Sequence, residues 1–492
     1  MADGDRREAS RGRIGHGRSR RLCGDGGRAV HRSDVARQGR AERPAVAPLR
    51  RPARDAGVKR GFLALLAAVL ATPSFAAGTD CRIGSYALGD GRNLDIGPSE
   101  GTALRWRLED GTTGKLTPAG SGRWISTLGW TDRPDGKTVT FDCDRGTIRF
   151  AQVSGKRIPF DVTETRFRGA GVDLAGRLIL PRGAGKVPIV ILIHGSEHDS
   201  GIANFALQRQ FAARGIGVFV YDKRGTGASG GRYTQDYLLL ADDAIAAMHE
   251  AKRLAGTRAG KVGYQAGSQG GWVAPLAARI EPVDFVIVGF GLAVSPLEED
   301  REAIALNMRD RGYGPDVMAK AMEVADATAA VMLSDFREGY DGIAAVRRKY
   351  GQEPWFRDVR GDVSYVLLEK DAAELRDLGP VLLAGAPWQY DPMPVLRNLA
   401  VPQLWILAEN DIDAPSAETA RRLKALAANG RPITTVMFPR TEHGIYEYET
   451  GPDGKRLSTR QPDGYFRMMV DFIRNGRIGA DYGTARIAGP AG

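Results

Sequence analysis

The segment KVGYQAGSQGGWVAPLAA, residues 261–278, places one serine among small residues, between a short strand pattern and an alanine-rich helical pattern. A serine in the motif G-x-S-x-G sits on a sharp strand-to-helix turn that exposes its hydroxyl oxygen. Ala266 replaces the first glycine, and its methyl group meets nearly the same steric need where strand and helix come into contact. The segment predicts Ser268 as a nucleophile and the backbone N–H of Gln269, at the helix start, as an oxyanion donor.

A serine is a weak nucleophile until a general base takes its proton. Beyond residue 77 the chain has only four histidines, so a candidate base can be chosen by elimination. His194 ends an apolar strand, His198 lies in the loop after it and His249 falls within a helical pattern. His443, in PRTEHGIY, follows the last strand pattern directly, where its imidazole can reach over the strand ends. We therefore predict His443 as the base.

The acid that orients this base is expected after the preceding strand, in WILAENDIDAP. Asp411 and Asp413 both lie there, and Asp411 has the spacing expected from the strand end. Ser268, Asp411 and His443 then follow three strand ends in the order nucleophile, acid, base. This order is far more specific than the serine motif alone. No Cys/His spacing resembles a zinc site, so neither a metal nor a cofactor is predicted.

These strand ends belong to a region of alternating strands and helices that begins near residue 161. VPIVILIHG is a continuous apolar run, typical of a strand buried on both faces. Helical and strand patterns alternate through FALQRQFAARG, GVFVYD, YLLLADDAIAAMHEAKRL, DFVIVGFG, PQLWILAEN and ITTVMFP. This alternation predicts an α/β fold, a parallel sheet with helices on both faces and functional groups at the carboxyl ends of its strands. Residues 296–395, mostly helical in pattern, are predicted to form a cap.

Residues 78–160 differ, being dense in Gly and Trp with alternating apolar and polar residues. ALRWRLEDG, KTVTFDCD and GTIRFAQV indicate short strands separated by turns. We predict a small β-rich domain and assign its tryptophans to a core rather than to a carbohydrate-binding face: Trp106, Trp124 and Trp130. Residues 479–492 are predicted to be a C-terminal tail.

The pieces IHGSEHDSG, YDKRGTGASGG, AGSQGG, AENDIDAP and TEHG resemble the α/β-hydrolase superfamily over residues 161–478. Within it, the chain is most similar to the capped serine aminopeptidase and acyl-esterase branches. The resemblance implies Ser268 as nucleophile, His443 as general base and Asp411 as the acid that orients the base.

The resemblance also implies an oxyanion hole made by two backbone amides. One belongs to Gln269, and the other to Ser196 or Glu197 in the loop HGSEHDSG, which differs from the HGGG loop of many lipases. The turn YDKRGTGAS, with Asp222 and Arg224, is predicted to brace this loop.

The expected function is hydrolysis of carboxylic esters or related acyl compounds, with a small acyl compound or a peptide as the substrate. A peptidase, aminopeptidase or amidase of the same fold is the alternative, because an acidic cap can hold a free amino terminus. A third hypothesis is a non-catalytic envelope binding protein with a vestigial triad, which the intact set of serine, aspartate and histidine argues against. No oligomeric state is predicted.

The net charge of +10 belongs to one end of the chain. Residues 1–60 hold 17 Lys or Arg against 7 Asp or Glu, and the rest of the chain holds 52 of each. A nucleic-acid partner for the folded body is therefore not expected. Residues 1–57, rich in Arg and Gly without periodicity, are typical of a disordered leader and are interpreted as lying upstream of the true start.

Residues 58–76 have the pattern of a signal peptide: two basic residues, an apolar run and a small-x-small site that ends at Ala76. The apolar run is shorter than the roughly 20 residues that span a bilayer, so no stable membrane span is expected. A periplasmic or secreted protein is predicted. Cys81 and Cys143 form an even pair for that oxidising compartment, which predicts one disulfide.

If translation begins near Val58, we expect the mature protein to begin at Ala77 and to carry a formal charge near zero. N-terminal sequencing of the exported protein checks this expectation. A mature protein that still contained Arg18 or Arg40 would contradict it.

Overall fold

A closed β-barrel forms the first part of the structure. The computed structural model describes residues 80–452 and 454–488, and the predicted leader and signal peptide lie outside the described residues. Each antiparallel strand of the barrel pairs with the next, and the last pairs with the first: β1 (Gly84–Leu88), β2 (Asn93–Pro98), β3 (Leu104–Leu108), β4 (Thr113–Pro118), β5 (Arg123–Leu128), β6 (Pro134–Asp142), β7 (Thr147–Phe150) and β8 (Val153–Arg157).

The barrel interior is filled by the inward-facing residues of these strands. Leu94, Trp106 and Trp124 are among its buried side chains, so two of the three tryptophans lie in the core as predicted. The prediction was wrong for Trp130, which is only half-buried and lies outside this core. Trp130 belongs to the turn between β5 and β6, where the alternation of a strand no longer decides which side chain points inward.

The strands after the barrel form two sheets. They are β9 (Phe160–Arg168), β10 (Asp173–Pro181), β11 (Val187–Ile193), β12 (Gly217–Tyr221), β13 (Ala259–Gly267), β14 (Phe285–Gly289), β15 (Gln403–Ala408), β16 (Ile433–Phe438), β17 (Thr441–Glu442), β18 (Tyr446–Thr450), β19 (Arg456–Arg460) and β20 (Arg486–Ala488). The large sheet has the order β20-β16-β15-β14-β13-β11-β12-β10-β9, and β17-β18-β19 form a small sheet. Strands β11 to β16 are parallel, and the edge pairs are antiparallel. Strand β20 lies within the predicted C-terminal tail.

The helices are α1 (Gly201–Asn204), α2 (Leu207–Ala213), α3 (Tyr237–Ala255), α4 (Gly270–Ile280), α5 (Pro296–Asp310), α6 (Pro315–Leu333), α7 (Tyr340–Tyr350), α8 (Ser364–Glu369), α9 (Ala372–Leu382), α10 (Met393–Asn398), α11 (Ser416–Ala428) and α12 (Tyr465–Asn475). Helices α3 and α4 bury alanine-rich surfaces on one face of the large sheet. Helices α2 and α12 bury larger side chains, such as Phe211 and Phe472, on the other. This is the predicted α/β fold. No helix in the described part of the chain is long and apolar enough to cross a membrane.

Helices α5 to α10 form an insertion between β14 and β15, where helices were predicted. The insertion begins at a capping box, in which the Ser295 side chain and the Glu298 side chain each accept the other residue's backbone N–H. Pro296 at the first helical position reinforces this start. The inserted helices contribute two apolar clusters of their own, which include Met308 and Met332.

A buried ion pair joins the barrel to the large sheet. Asp95 on β2 accepts two hydrogen bonds from Arg209 on α2, at 2.6 and 3.1 Å, and both residues are buried. Removing one member of such a pair leaves an uncompensated buried charge, which costs about 3–5 kcal/mol. The barrel is therefore fixed to the α/β region by more than the chain connection.

The disulfide Cys81–Cys143 closes the barrel's entry segment onto the residue after β6. Its Cα atoms lie 5.6 Å apart and the cysteines are 62 residues apart in sequence. The bond holds the chain next to β1, where the described residues begin.

We expect Cys143→Ser to lower the free energy of unfolding by about 2–4 kcal/mol, because the unfolded chain loses its cross-link. Thermal unfolding of the variant and of oxidised and reduced wild type measures this change. Hydrolysis by the folded variant should be retained, since the bond lies in the barrel. Two free thiols in the oxidised protein would contradict the assignment.

Candidate active site

Ser268 occupies the turn between β13 and α4 with its backbone in the left-handed region, at φ +52°. Its N–H donates to the Gly289 carbonyl on the neighbouring strand at 3.1 Å, which fixes the turn to the sheet. A Cβ on Gly270 would lie 2.8 Å from the His194 carbonyl oxygen, and one on Gly271 would lie 3.0 Å from the Gly291 Cα. The sequence has small residues here because strand, helix and loop leave no room for larger ones.

The structure brings the three predicted residues into one chain of hydrogen bonds. Nε2 of His443 lies 3.1 Å from the Ser268 hydroxyl oxygen. Nδ1 of His443 lies 3.0 and 3.2 Å from the two carboxylate oxygens of Asp411. With a proton on Nδ1, the imidazole donates to Asp411 and its Nε2 is free to accept the serine proton. His443 also packs edge-on against the ring of Phe290, at 4.9 Å between ring centroids.

The two candidate acids occupy different positions. Asp411 follows β15, is 1% exposed, and accepts the N–H groups of Asp413 and Ala414 at 3.1 and 2.8 Å. Asp413 is exposed. One ligand atom from each of Asp411, Asp413 and His443 lies within 4.8 Å of the others, a spacing that can hold a metal ion. Both imidazole nitrogens already face Asp411 and Ser268, so the arrangement favours proton transfer over metal binding.

Negative charges surround the imidazole and control its protonation. Burial by itself lowers the pKa of His443, but the hydrogen bond and charge of Asp411, together with the charges of Asp413 and Asp362, raise that pKa overall. Asp362, in the helical insertion, is accessible to water but closely surrounded by protein. Burial, together with the charges of Asp300 and Asp413, raises the pKa of Asp362 to about 6.

The loop after β11 lies against Ser268 and is held in place by two side chains from a later segment of the chain. The Lys223 ammonium donates to the Gly195 carbonyl at 2.7 Å, and the Tyr233 hydroxyl donates to the Ser196 carbonyl at 2.6 Å. In a trans peptide the carbonyl and the next N–H point in opposite directions. Lys223 therefore orients the N–H of Ser196, and Tyr233 orients the N–H of Glu197, the two alternatives for one predicted donor.

The remaining predicted donor, the N–H of Gln269, lies at the N-terminus of α4, where the first N–H groups have no partner within the helix. Gly195 brings the loop to this point, since a Cβ built on it would lie 3.4 Å from the Ser268 Cβ. The Gly195 N–H donates to the Glu197 carboxylate at 3.2 Å. The loop is thus fixed at the carbonyls of Gly195 and Ser196 and at the N–H of Gly195.

The turn YDKRGTGAS contacts this loop, but not through both residues named from sequence. Asp222 accepts hydrogen bonds from the Ser200 hydroxyl and the Ile202 N–H at the end of the loop. Arg224 instead forms a buried ion pair with Asp243 on α3. Lys223 was missed, because a lysine between charged neighbours gives no sign that its ammonium is buried. Tyr233 was missed because nothing in its local pattern marks it.

The other histidines are engaged elsewhere. His194 lies 2.7 Å from the Tyr221 carbonyl through Nε2, His198 stacks on the ring of Tyr233, and His249 pairs with Glu281 at the surface. Among the described residues, only His443 hydrogen-bonds to the Ser268 hydroxyl.

Comparison with known proteins agrees with this geometry. A family model described as serine aminopeptidase, S33, matches residues 186–299, which include Ser268. No curated protein matches. The order of the large sheet, the serine turn and the matched segment are those of the α/β-hydrolase fold. The matched segment is thus similar to a family of serine hydrolases.

Solved structures with similarity to this chain include an esterase and two peptidases. The acylaminoacyl peptidase of Pyrococcus horikoshii is 14% identical, with 79% of this chain and 57% of that chain covered and a TM-score of 0.40. An esterase of Pyrococcus furiosus is 14% identical, with coverages of 58% and 84% and a TM-score of 0.36. A puromycin-hydrolyzing peptidase of Mycobacterium tuberculosis is 17% identical, with coverages of 74% and 50% and a TM-score of 0.37. The chain thus matches little more than half the length of the acylaminoacyl peptidase.

The charges around His443 predict a pH dependence. Activity requires neutral His443, so kcat/KM should fall as pH decreases through a pKa above the ordinary 6.5. Asp411→Asn removes the hydrogen bond and charge that contribute most to raising this pKa, so the fall should move to lower pH. Turnover should also decrease by about 10⁴-fold, as the imidazole loses its orienting partner.

Asp413→Asn is the matched control, because it removes a nearby charge without a hydrogen bond to the imidazole. We expect a smaller shift in the same direction and a much smaller loss of turnover. An unchanged pH profile in Asp411→Asn would show that the titrating group is not His443. A larger loss in Asp413→Asn would make Asp413 the acid.

Proposed function

We propose that this protein is an exported hydrolase of carboxylic esters or related acyl compounds that acts through an acyl-enzyme on Ser268. The observation that carries the proposal is the continuous contact from Asp411 through His443 to the Ser268 hydroxyl. Such a contact supplies a nucleophile, a base and a group that fixes the base's tautomer.

In the proposed reaction the Ser268 hydroxyl oxygen attacks the acyl carbonyl while Nε2 of His443 takes the hydroxyl proton. The N–H groups of Gln269 and of the loop after β11 stabilise the negative oxygen of the tetrahedral intermediate. Collapse of the intermediate breaks the ester C–O bond, and His443 returns the proton to the leaving alcohol. A water molecule then attacks the acyl-serine with His443 again as base, which releases the acid and restores the serine. Asp411 stabilises the imidazolium in both halves.

We further propose that helices α5 to α10 act as a cap over this site. Asp362, in the segment between α7 and α8, is close enough to His443 for its charge to raise the pKa of the imidazole. The insertion therefore supplies a charged group to the reaction centre, as a cap would.

A second candidate is a peptidase or amidase that acts on substrates with a free amino group. Glu299 and Asp362 of the insertion and Asp413 beside His443 all have raised pKa values, caused first by burial and then by the other carboxylates. A substrate ammonium group would relieve this repulsion between like charges. These neighbouring carboxyl groups thus favour a cationic substrate, whether its scissile bond is an ester or an amide.

Export is part of the proposal. It is supported by the signal-peptide pattern at residues 58–76 and by the Cys81–Cys143 disulfide, which is typical of an oxidising compartment.

The triad is tested with alanine variants on p-nitrophenyl esters. Ser268→Ala and His443→Ala should each reduce kcat to near background, and the double variant should be no worse, because the two residues act as one unit. A fluorophosphonate should label Ser268 in wild type and not in Ser268→Ala. His249→Ala is the matched control, since this surface histidine should leave kcat unchanged.

Ordinary turnover in Ser268→Ala would refute the mechanism, and a wild-type protein that resists labelling would favour a binding protein. The same assay separates the two enzyme candidates when it includes aminoacyl-nitroanilides with free and blocked amino groups. Faster hydrolysis of neutral esters supports the esterase. Preference for the free-amino nitroanilides would support the peptidase.

A further inference from the structure

Strand β19 and Gln461, which follows it, form hydrogen bonds to the two residues on either side of His443. The Ser458 hydroxyl donates to the carboxylate of Glu442, which directly precedes His443. The side-chain amide of Gln461 donates to the carbonyl of Gly444, which directly follows His443, at 3.2 Å. The position of the imidazole therefore depends on where this strand lies.

The barrel in turn fixes the position of β19. The Gln461 N–H donates to the carbonyl of Gly111, in the turn between β3 and β4, at 3.0 Å. A Cβ on Gly111 would lie 2.1 Å from the Gln461 carbonyl oxygen, and one on Gly129 would lie 2.3 Å from the Thr459 carbonyl oxygen. Two turns of the barrel thus contact β19 backbone to backbone, at a distance that excludes any side chain.

Trp130 adds a direct contact from the barrel to the histidine turn. Its backbone N–H donates to the Ser458 carbonyl at 2.9 Å, and its indole ring packs edge-on against Tyr446 at 4.6 Å between centroids. The guanidinium of Arg105 lies 4.0 Å from the centre of the Trp130 ring and fixes it on the barrel side. The Tyr446 ring lies against the backbone of Gly444, since a Cβ on that glycine would be 2.5 Å from Cε2 of the tyrosine.

We propose that Trp130 is a positioning residue for His443, an inference that rests on the proposed triad. Strand β17 has two residues and β18 has five, and a small hairpin of this kind is only marginally stable by itself. The barrel supplies a rigid surface against which the hairpin packs. Through Trp130 and Tyr446 the barrel holds the imidazole at hydrogen-bonding distance from Ser268.

Steady-state kinetics of the purified full chain on a p-nitrophenyl ester test this role. Trp130→Leu should lower kcat by about tenfold to a hundredfold, since small displacements of a catalytic group have effects of this size. KM should stay within about twofold of wild type because substrate contacts are unchanged. Trp130→Phe, which keeps an aromatic ring, should recover most of the lost kcat.

Trp124→Leu is the matched control, because Trp124 is buried in the barrel core and packs on Phe141, away from the histidine turn. It should lower the melting temperature more than Trp130→Leu while leaving kcat near that of wild type. Tyr446→Leu tests the other side of the contact and replaces Trp130→Leu if that variant does not fold.

Normal kcat in both Trp130→Leu and Tyr446→Leu would overturn the inference. Equal losses of kcat in Trp124→Leu and Trp130→Leu would also overturn it, since the loss would then follow barrel stability. Fluorophosphonate labelling of wild-type Ser268, done first, separates this failure from failure of the triad. If wild-type Ser268 is not labelled, the triad is wrong. If Ser268 is labelled and both leucine variants have normal kcat, only the role of Trp130 is rejected.

Discussion

The left-handed backbone at Ser268 is the constraint on which the rest of the site depends. A non-glycine residue in this region is strained by about 1–3 kcal/mol, and it persists only where the surroundings determine it. Here the surroundings are the hydrogen bond to Gly289 and the close packing of Gly270 against the loop after β11. The strain projects the hydroxyl beyond the strand ends, and every other group at the site is placed relative to that oxygen. Phe290, at φ +41°, shows the same strain directly after β14, the neighbouring strand, and packs against both Gly267 and His443.

His443 contacts this oxygen, and the loop after β11 lies beside Ser268. The loop after β11 is held at the carbonyls of Gly195 and Ser196 by Lys223 and Tyr233, which leaves the next N–H groups directed away from those partners. Burial lowers the pKa of the Lys223 ammonium to about 8. The loop is therefore held by a cation whose own charge is costly to bury, so the hydrogen bond to Gly195 also compensates for desolvation.

Electrostatics and support at the histidine come from two different regions. The helical insertion contributes anionic groups such as Asp362, which oppose the loss of a proton from the imidazole. The barrel contacts β19, the strand behind the histidine turn, through Trp130 and Gly129. An α/β sheet places strand ends in register, but it does not by itself hold a histidine that lies beyond its last strand. The helical insertion supplies charge to this histidine, and the barrel supplies support to it.

The amino-acid sequence was enough to predict the parallel sheet, the succession of strands and helices along the chain, and Ser268, Asp411 and His443 as residues that meet at its edge. Each of these depends on a local pattern, an apolar strand followed at once by a turn residue, and parallel strands bring such turns to one edge. The tertiary structure alone decided that Trp130 faces Tyr446 instead of the barrel core, that Lys223 is buried and that residues 486–488 add an edge strand. These features join residues far apart in the chain, and a distant contact leaves no periodicity in the local sequence from which it can be predicted.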